Sequence, residues 1–223
     1  DMSTHFEACW IFDASAATYI NNTVEASIPS GTAFTIFDAT ADFLYLGFSS
    51  RFDGFTAALS TLGNVGARTY EYSNNGTAWT RFYPRFNYDY TLNGGEQWER
   101  LTGWTTAFAF AVGTPHAPAP PDTTVRFWIR ISVASITTSP TITELVIRPY
   151  TAYATHADIS SLLQFAAFSA TTTPSSIVVE DYIARAQSKI DSYTRKSWRP
   201  NVVIDEEHDF NINGISLIFR DVR

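Results

Sequence analysis

The densest group of side chains that could hold a metal ion lies near the C-terminal end of the chain. Residues 205–209 read Asp-Glu-Glu-His-Asp, and hard cations such as Ca²⁺ prefer clustered carboxylate oxygens. Residues 202–204, Val-Val-Ile, favour a strand, in which consecutive side chains point to opposite faces. The acids therefore do not converge on one ion. The pattern favours an exposed acidic edge that limits sheet aggregation or meets a basic partner, and no metal ligand is assigned.

The rest of the sequence lacks the spacing of a catalytic site. The four histidines, at positions 5, 116, 156 and 208, are far apart along the chain. There is no Gly-x-Ser-x-Gly motif, no glycine-rich phosphate loop and no Cys-His pair. Cys9 is the only cysteine, which excludes a disulfide within the chain. The sequence therefore predicts a protein that is not an enzyme and that takes no cofactor.

Basic side chains concentrate in one short stretch. Within residues 185–199 the only acid is Asp191, and the bases are Arg185, Lys189, Arg195, Lys196 and Arg199. They either complement the dipole at a helix end or contact DNA or an acidic neighbouring subunit. The formal net charge of −7 argues against a dedicated nucleic-acid binder. These five residues are the candidates for facing a partner or a channel lumen.

Aromatic residues make up 15% of the chain, and four tryptophans could stack on sugar rings. They are Trp79, Trp98, Trp104 and Trp128. Aromatic rings fill sandwich cores and subunit interfaces more often than they bind sugars, so the core or interface interpretation is favoured. A glycan-binding protein would instead concentrate Trp and Tyr on one solvent-facing sheet around a groove.

One long segment near the C-terminus has a helical period. Its apolar residues recur at steps of four and three: Val179, Ile183, Ala186, Ile190 and Tyr193. Thr173 and Pro174 suit the start of a helix, and Pro200 suits its end. The spacing predicts a helix of about twenty residues with this seam buried. The residues expected towards solvent are Glu180, Gln187, Asp191 and Arg195.

A shorter helix precedes it. Thr155 and Asp158 have the spacing of a capping box, and an apolar face of about three turns follows. Residues 169–173 form a polar linker short enough for the two helices to pack against each other. After Pro200, the pair Asn213-Gly214 is typical of the turn in a β-hairpin.

Residues 34–147 alternate short β-prone runs with turn residues, which is typical of a sandwich or barrel. Asn75-Gly76 predicts a hairpin, and the faultless alternation of residues 125–133 predicts a central strand. The proline-rich residues 113–121 predict an exposed loop. Because the period changes near residue 150, the sequence predicts an α+β protein of two domains. Residues 1–150 form an antiparallel β-sandwich, and residues 151–223 form a small helical domain with a terminal β-hairpin.

The helical segment resembles the head-tail connector (adaptor) proteins of tailed bacteriophages over roughly residues 154–210. In that family a first helix opens with Ala-Asp-Val/Ile and an apolar pair, matched here by Ala157, Asp158, Ile159, Leu162 and Leu163. A second helix ends in Ile-Asp-x-x-Thr-x-x-x-Trp/Phe, matched here by Ile190, Asp191, Thr194 and Trp198.

The resemblance implies a structural virion protein of the neck, made in the host cytoplasm, that docks as a homo-oligomeric ring beneath the portal. Such adaptors are commonly dodecamers that link capsid to tail and pass DNA through their channel. The implied partners are the portal protein, the stopper, tail or other neck proteins, and the major capsid protein. The residues expected to form the helical core and pack subunits are Leu162, Leu163, Ile183, Ile190, Tyr193 and Trp198.

Residues 71–80 and 125–131 resemble a jelly-roll-like β-sandwich of phage tail and baseplate proteins, in which a W-E-Y-x-N-G-x-x-W hairpin precedes a Y-W-I-R strand. The resemblance implies an added outward domain. Two alternatives remain: a carbohydrate-binding β-sandwich module with a helical attachment, and a tail or baseplate component. No apolar run has the length of a membrane-spanning helix, so no membrane partner is expected.

Overall fold

A computed structural model describes residues 5–74, 78–85, 88–99, 101, 103–110, 119–149, 153–169, 171–194, 209–211 and 214–216. The strands are β1 Ala8–Asp13, β2 Thr18–Asn21, β3 Phe34–Thr35, β4 Phe43–Phe48, β5 Phe52–Thr61, β6 Asn64–Val65, β7 Arg68–Asn74, β8 Ala78–Phe82, β9 Gly94–Gln97, β10 Phe127–Val133, β11 Ile136–Thr138, β12 Thr141–Pro149, β13 Asp209–Asn211 and β14 Gly214–Ser216. The helices are α1 Thr23–Ser27, α2 His156–Leu163 and α3 Ser176–Thr194.

Two antiparallel sheets form the body of the protein, which confirms the α+β class and the predicted β-sandwich with a small helical region. One sheet has six strands in the order β2-β1-β4-β10-β7-β8, and the other has four in the order β3-β12-β5-β9. Two strand pairs, β6 with β11 and β13 with β14, complete the described sheet structure. The last pair confirms the predicted terminal hairpin.

Apolar side chains of both sheets meet in one core. The six-stranded sheet contributes Leu44, Leu46, Ile129 and Ile131, and the four-stranded sheet contributes Phe55, Ala57, Leu145 and Ile147. Strand residues two apart share a face, so each sheet presents one continuous apolar surface to the other. Trp98 and Trp104 are buried in this core. Trp128 is buried on the opposite face of the six-stranded sheet. The core interpretation of these three tryptophans is confirmed.

The two clearest strand predictions hold. β10 lies between β4 and β7 in the middle of its sheet. The strand begins at Phe127, however, and Val125 before it is exposed. β7 and β8 pair from Tyr70 with Phe82 to Asn74 with Ala78, as the predicted hairpin requires. Residues 75–77 and most of the proline-rich stretch 113–121 lie outside the described residues.

Cys9 lies in the middle of β1 and has no exposed surface. Its backbone N–H donates to the Thr23 hydroxyl at 2.9 Å, which ties β1 to the start of α1. Burial is the main cause that raises the pKa of the Cys9 thiol well above its ordinary value, and the charge of Glu25 adds to it. The thiol therefore stays protonated at neutral pH.

The start and the capping box of the first predicted helix are confirmed, but the helix ends at Leu163 and is shorter than the predicted three turns. α2 begins at His156 with Thr155 as its N-cap, and the Asp158 N–H donates to the Thr155 hydroxyl at 3.2 Å. The Thr155 N–H in turn donates to the Asp158 carboxylate at 2.8 Å. This reciprocal pair satisfies two amides that have no partner within the helix.

The predicted start of the second helix is wrong. Thr173 and Pro174 precede α3, which begins at Ser176, and the Val179 N–H donates to the Ser175 carbonyl at 3.0 Å. The Thr172 hydroxyl oxygen lies 3.0 and 2.8 Å from the carbonyl oxygens of Ser169 and Pro174, and its single hydrogen can be donated to either. These contacts hold Ser169 and Pro174 close to Thr172, so helical bonding starts after them.

The buried stripe of α3 also differs from the prediction. Val179, Ile183 and Gln187 are buried, at steps of four, whereas Ala186 and Ile190 are exposed. Gln187 was expected in solvent and is 1% exposed. None of the helices among the described residues has both the length and the apolar character needed to cross a membrane.

The N-cap of α2 can be tested by substitution at Thr155. Thr155→Ala removes the hydroxyl that accepts the Asp158 amide and should destabilise α2 by about 1 kcal/mol, or roughly fivefold in its opening equilibrium. Hydrogen exchange of the amides of Asp158 and Ile159 measures this. Thr155→Ser keeps the hydroxyl and should exchange like the wild type. Equal protection in the alanine variant would contradict the capping role.

Candidate interaction surfaces

Polar contacts hold one face of α3 to the rest of the protein. Glu180 pairs with Arg51, which lies between β4 and β5. The other carboxylate oxygen of Glu180 is 3.4 Å from Nδ1 of His156. The Tyr153 hydroxyl donates to Asp191. At about 100° per residue, Glu180, Gln187 and Asp191 share one side of the helix. This anchored side decides which residues of α3 are turned inward.

The opposite side of α3 carries apolar and basic residues together. Val178, Tyr182, Arg185, Lys189 and Tyr193 recur at steps of four and three and form what we call the outer face of α3. All five are exposed, and Tyr193 is 91% exposed. The Arg185 guanidinium lies 6.0 Å from the centroid of the Tyr182 ring. Such a mixed, unpaired face is typical of a surface that a partner covers.

The end of α2 carries a second group of exposed apolar side chains. Leu162 is 79% exposed, Leu163 51% and Phe165, just past the helix, 66%. The Gln164 N–H closes the helix on the carbonyls of Ser160 and Ser161, with Gln164 in the left-handed conformation. Three large apolar side chains therefore surround a helix end without forming a core of their own.

The predicted helical core is only partly present within one chain. Ile183 is buried, as predicted. Leu162, Leu163, Ile190 and Tyr193 are exposed, so the prediction that they form a core within the chain is wrong. The reason is that α3 is rotated about its axis relative to the prediction. The ion pair of Glu180 and the hydrogen bond of Asp191 face the rest of the protein, so Gln187 is buried where Ile190 and Tyr193 were expected. That these residues pack subunits stays a prediction.

Two of the five basic candidates lie among the described residues. Arg185 and Lys189 are exposed on the outer face of α3, and which partner they face stays a prediction. Arg195, Lys196, Arg199 and the core candidate Trp198 lie outside the described residues, as do the acidic residues 205–208.

A second aromatic cluster covers the outer side of the six-stranded sheet. Tyr45 and Trp128 are buried there, beneath Phe110. The half-buried rings at its rim belong to Trp10, Phe12, Tyr19, Phe43 and Trp79. The sequence pattern of β10 predicts part of this face, since Trp128 and Arg130 alternate with the core residues.

Contacts within the chain already involve several of these rings. The Arg130 guanidinium lies 4.7 Å from the Phe43 centroid and 4.6 Å from the Trp79 centroid, and its Nε donates to Glu71 at 2.7 Å. Phe110 packs on the other rings, 5.8 Å from Trp79 and 5.2 Å from Trp128. A sugar ring needs an open aromatic face. The described rings of this cluster therefore behave as a small second core.

Three aspartates that no sequence motif connects lie close together in the structure. Asp13, Asp38 and Asp42 bring carboxylate oxygens within 4.8 Å of one another, although Asp13 is far from the others in the chain. Asp42 is buried and accepts the N–H groups of Ala14, Asp38 and Ala39 at 2.9, 3.0 and 2.9 Å. These bonds hold the turn after β1 against the loop before β4, and they explain why a charged residue is buried at position 42.

The two outer aspartates respond oppositely to this arrangement. A hydrogen bond to the Asp42 carboxylate raises the pKa of Asp38, and burial and the charges of Asp42 and Asp13 raise it further. Hydrogen bonds from the Ser15 hydroxyl and the Ala16 N–H lower the pKa of Asp13. Asp38 therefore keeps its proton to a higher pH than an ordinary aspartate, and Asp13 loses its proton at a lower pH.

Comparisons with known proteins assign no family. No family model matches the chain, and no curated protein matches it. A solved structure described as CpGH89CBM32-6 produced by Clostridium perfringens aligns with a TM-score of 0.35 and 11% identity. The alignment covers 64% of this chain and 92% of that one. A likeness this slight carries over neither fold nor function.

The aspartate cluster predicts a pH dependence of stability. Because folding raises the pKa of Asp38 above its ordinary value of 3.8, the folded state loses stability as pH rises through the raised value. Asp38→Asn stays neutral and should increase the urea midpoint at pH 7, and the gain should vanish below about pH 3.8.

Asp13→Asn is the matched control with the opposite sign. Folding lowers the pKa of Asp13, so its charge stabilises the protein at neutral pH and this contribution is lost in acid. The variant should therefore have a lower urea midpoint at pH 7. Shifts of the same sign in both variants would contradict this assignment.

Proposed function

We propose that this protein is a structural virion protein, an adaptor of the head-to-tail connector that assembles as a ring beneath the portal and links capsid to tail. One observation carries the proposal. A single chain leaves the outer face of α3 and the end of α2 exposed, with apolar and basic side chains together. These are the helices in which the sequence resembles connector adaptors.

Energetics support subunit contact at this surface. Burying a large apolar side chain is worth about 1.5–3 kcal/mol, so covering Leu162, Phe165 and Tyr193 gives a substantial driving force for association. The apolar residues lie on two elements, the end of α2 and the outer face of α3. A neighbour that covers them with a different surface of its own makes a heterologous contact, which closes into a ring when the rotation allows.

Charge supports a second role for the same helix. Arg185 and Lys189 lie on the outer face of α3 in a chain of net charge −7. Exposed cations on one helix face suit contact with an acidic neighbour or with DNA that passes through a channel. The proposed partners are the portal protein, stopper, tail or other neck proteins and the capsid protein. The proposed copy number is twelve.

The β-sandwich is an added domain in this proposal. Arg130 lies against the Phe43 and Trp79 rings of its outer aromatic face, which does not favour the carbohydrate-binding alternative, because that function needs ring faces open to solvent. The sandwich instead offers a rigid body that can cover the capsid vertex or hold a neighbouring virion protein.

The assembly surface can be tested with two matched leucine variants. Leu162→Asp places a charge in the proposed subunit contact and should abolish higher oligomers, since an unpaired charge is costly to bury. Leu62→Asp is the control, because Leu62 is also exposed, at 55%, but follows β5 in the sandwich. Native mass spectrometry and particle imaging measure ring mass and symmetry.

The outcomes separate the two functions. Rings of about twelve copies in the wild type and in Leu62→Asp, but not in Leu162→Asp, support the adaptor proposal. A wild-type protein that stays monomeric at high concentration and binds immobilised glycans would overturn it in favour of the carbohydrate-binding module.

A further inference from the structure

A cavity opens at the outer edge of the six-stranded sheet, where β8 ends. Its volume is about 190 Å³. Its walls are Arg68, Tyr70, Arg81, Phe82, Tyr83, Pro84 and Arg85. Three arginines around one cavity are notable in a chain that has 22 acidic and 15 basic residues. The local charge therefore opposes the net charge of the protein.

The three arginines differ in the ion pairs and hydrogen bonds that their guanidinium groups make. Arg85 pairs with Glu99, with Nε 2.8 Å from the carboxylate oxygen. Arg68 donates to the carbonyls of Val65 and Gly66 at 3.3 and 2.7 Å. Arg81 is exposed, and its guanidinium lies 5.2 Å from the Tyr83 ring. Glu71 is opposite Arg81 in the β7–β8 pairing, but the Glu71 carboxylate pairs with Arg130, and no described ion pair includes Arg81. Arg81 is thus available to an incoming anion.

The cavity lies beside an open strand edge. β8 is the last strand of its sheet, and no described strand pairs with its outer side. Tyr83, the residue after it, is 77% exposed. An edge strand can accept an added strand through its backbone groups, with flanking side chains setting the specificity. An arginine at such an edge excludes basic segments and selects acidic ones.

The chain itself supplies a segment of matching chemistry. Residues 202–204 are β-prone, and residues 205–209 carry four acids and a histidine. Alternate side chains of an extended strand point the same way, so acids from this run reach Arg81 whichever face is presented. A nucleic acid could match the charge of the arginines, but only a peptide backbone can pair with the open edge of β8, which favours the acidic segment as the occupant.

We infer that the β8 edge and its arginine cavity bind the acidic run 205–209 of a neighbouring copy of the chain. This inference rests on the proposed ring, for which it supplies a head-to-tail contact between the sandwich of one copy and the C-terminal region of the next. The contact is separate from the one made by the outer face of α3.

A charge-swap experiment tests the contact in the full-length protein. Arg81→Glu reverses the acceptor, and replacement of Asp205, Glu206 and Glu207 by lysine reverses the donor. Each variant alone should assemble only at concentrations roughly tenfold or more above the wild type, because like charges then face each other at every contact. Arg81→Lys keeps the charge and should assemble nearly as the wild type does.

Mixing the two reversed variants is the decisive measurement. In an alternating ring every position-81 side chain meets a segment of opposite charge, so the mixture should recover wild-type assembly in native mass spectrometry. Recovery only when both changes are in the same chain would overturn the inference, because the segment would then occupy its own cavity. Wild-type assembly by Arg81→Glu alone would also overturn it.

The result can be told apart from failure of the proposed function. If the wild type forms no ring, the adaptor proposal fails. If the wild type forms rings that Leu162→Asp abolishes and Arg81→Glu does not affect, the adaptor proposal stands and the β8 contact is wrong. Unchanged urea midpoints for the position-81 variants verify folding, since Arg81 is exposed and makes no described ion pair.

Discussion

The packing of aromatic rings around Phe52 is the interaction on which the rest of the fold depends. The Phe52 ring lies edge-on to Phe6, Trp98 and Trp104, with centroids 5.2, 5.7 and 5.0 Å apart. The indole N–H of Trp98 donates to the Phe52 carbonyl at 3.1 Å, so this buried donor has a partner. Arg51, the preceding residue, holds Glu180 of α3. The same point of the chain therefore fixes the sandwich core and attaches the helices.

Sequence patterns predicted those elements that residues close together in the chain determine. The alternation in β10, the Asn-Gly hairpin of β7 and β8, and the capping box of Thr155 each depend on neighbouring residues, so sequence reasoning found them. The face that α3 turns inward was not predictable in this way. It is decided by Arg51 and Tyr153, which contact Glu180 and Asp191 from distant parts of the chain. A polar residue, Gln187, was consequently buried where an apolar one was expected.

The same distinction applies to the candidate surfaces. Sequence composition could suggest that tryptophans fill a core, but not that the Arg130 guanidinium lies against the Trp79 ring. The aspartate cluster and the β8 cavity likewise combine residues from separate strands and loops, which only the topology brings together. By contrast, the exposure of Arg185 and Lys189 follows from their charge alone, because charged residues on a surface helix have few alternatives to solvent, and which partner they face stays a prediction.

The burial of Cys9 has a practical consequence for spectroscopy. It is the only cysteine in the sequence, it has no exposed surface, and its thiol stays protonated. Thiol reagents act on an accessible thiolate, so the native chain is an almost silent background for maleimide chemistry. A single cysteine introduced on any exposed side chain would then be the sole attachment point for a fluorophore or spin label, and distances between copies could be measured without first removing a native thiol.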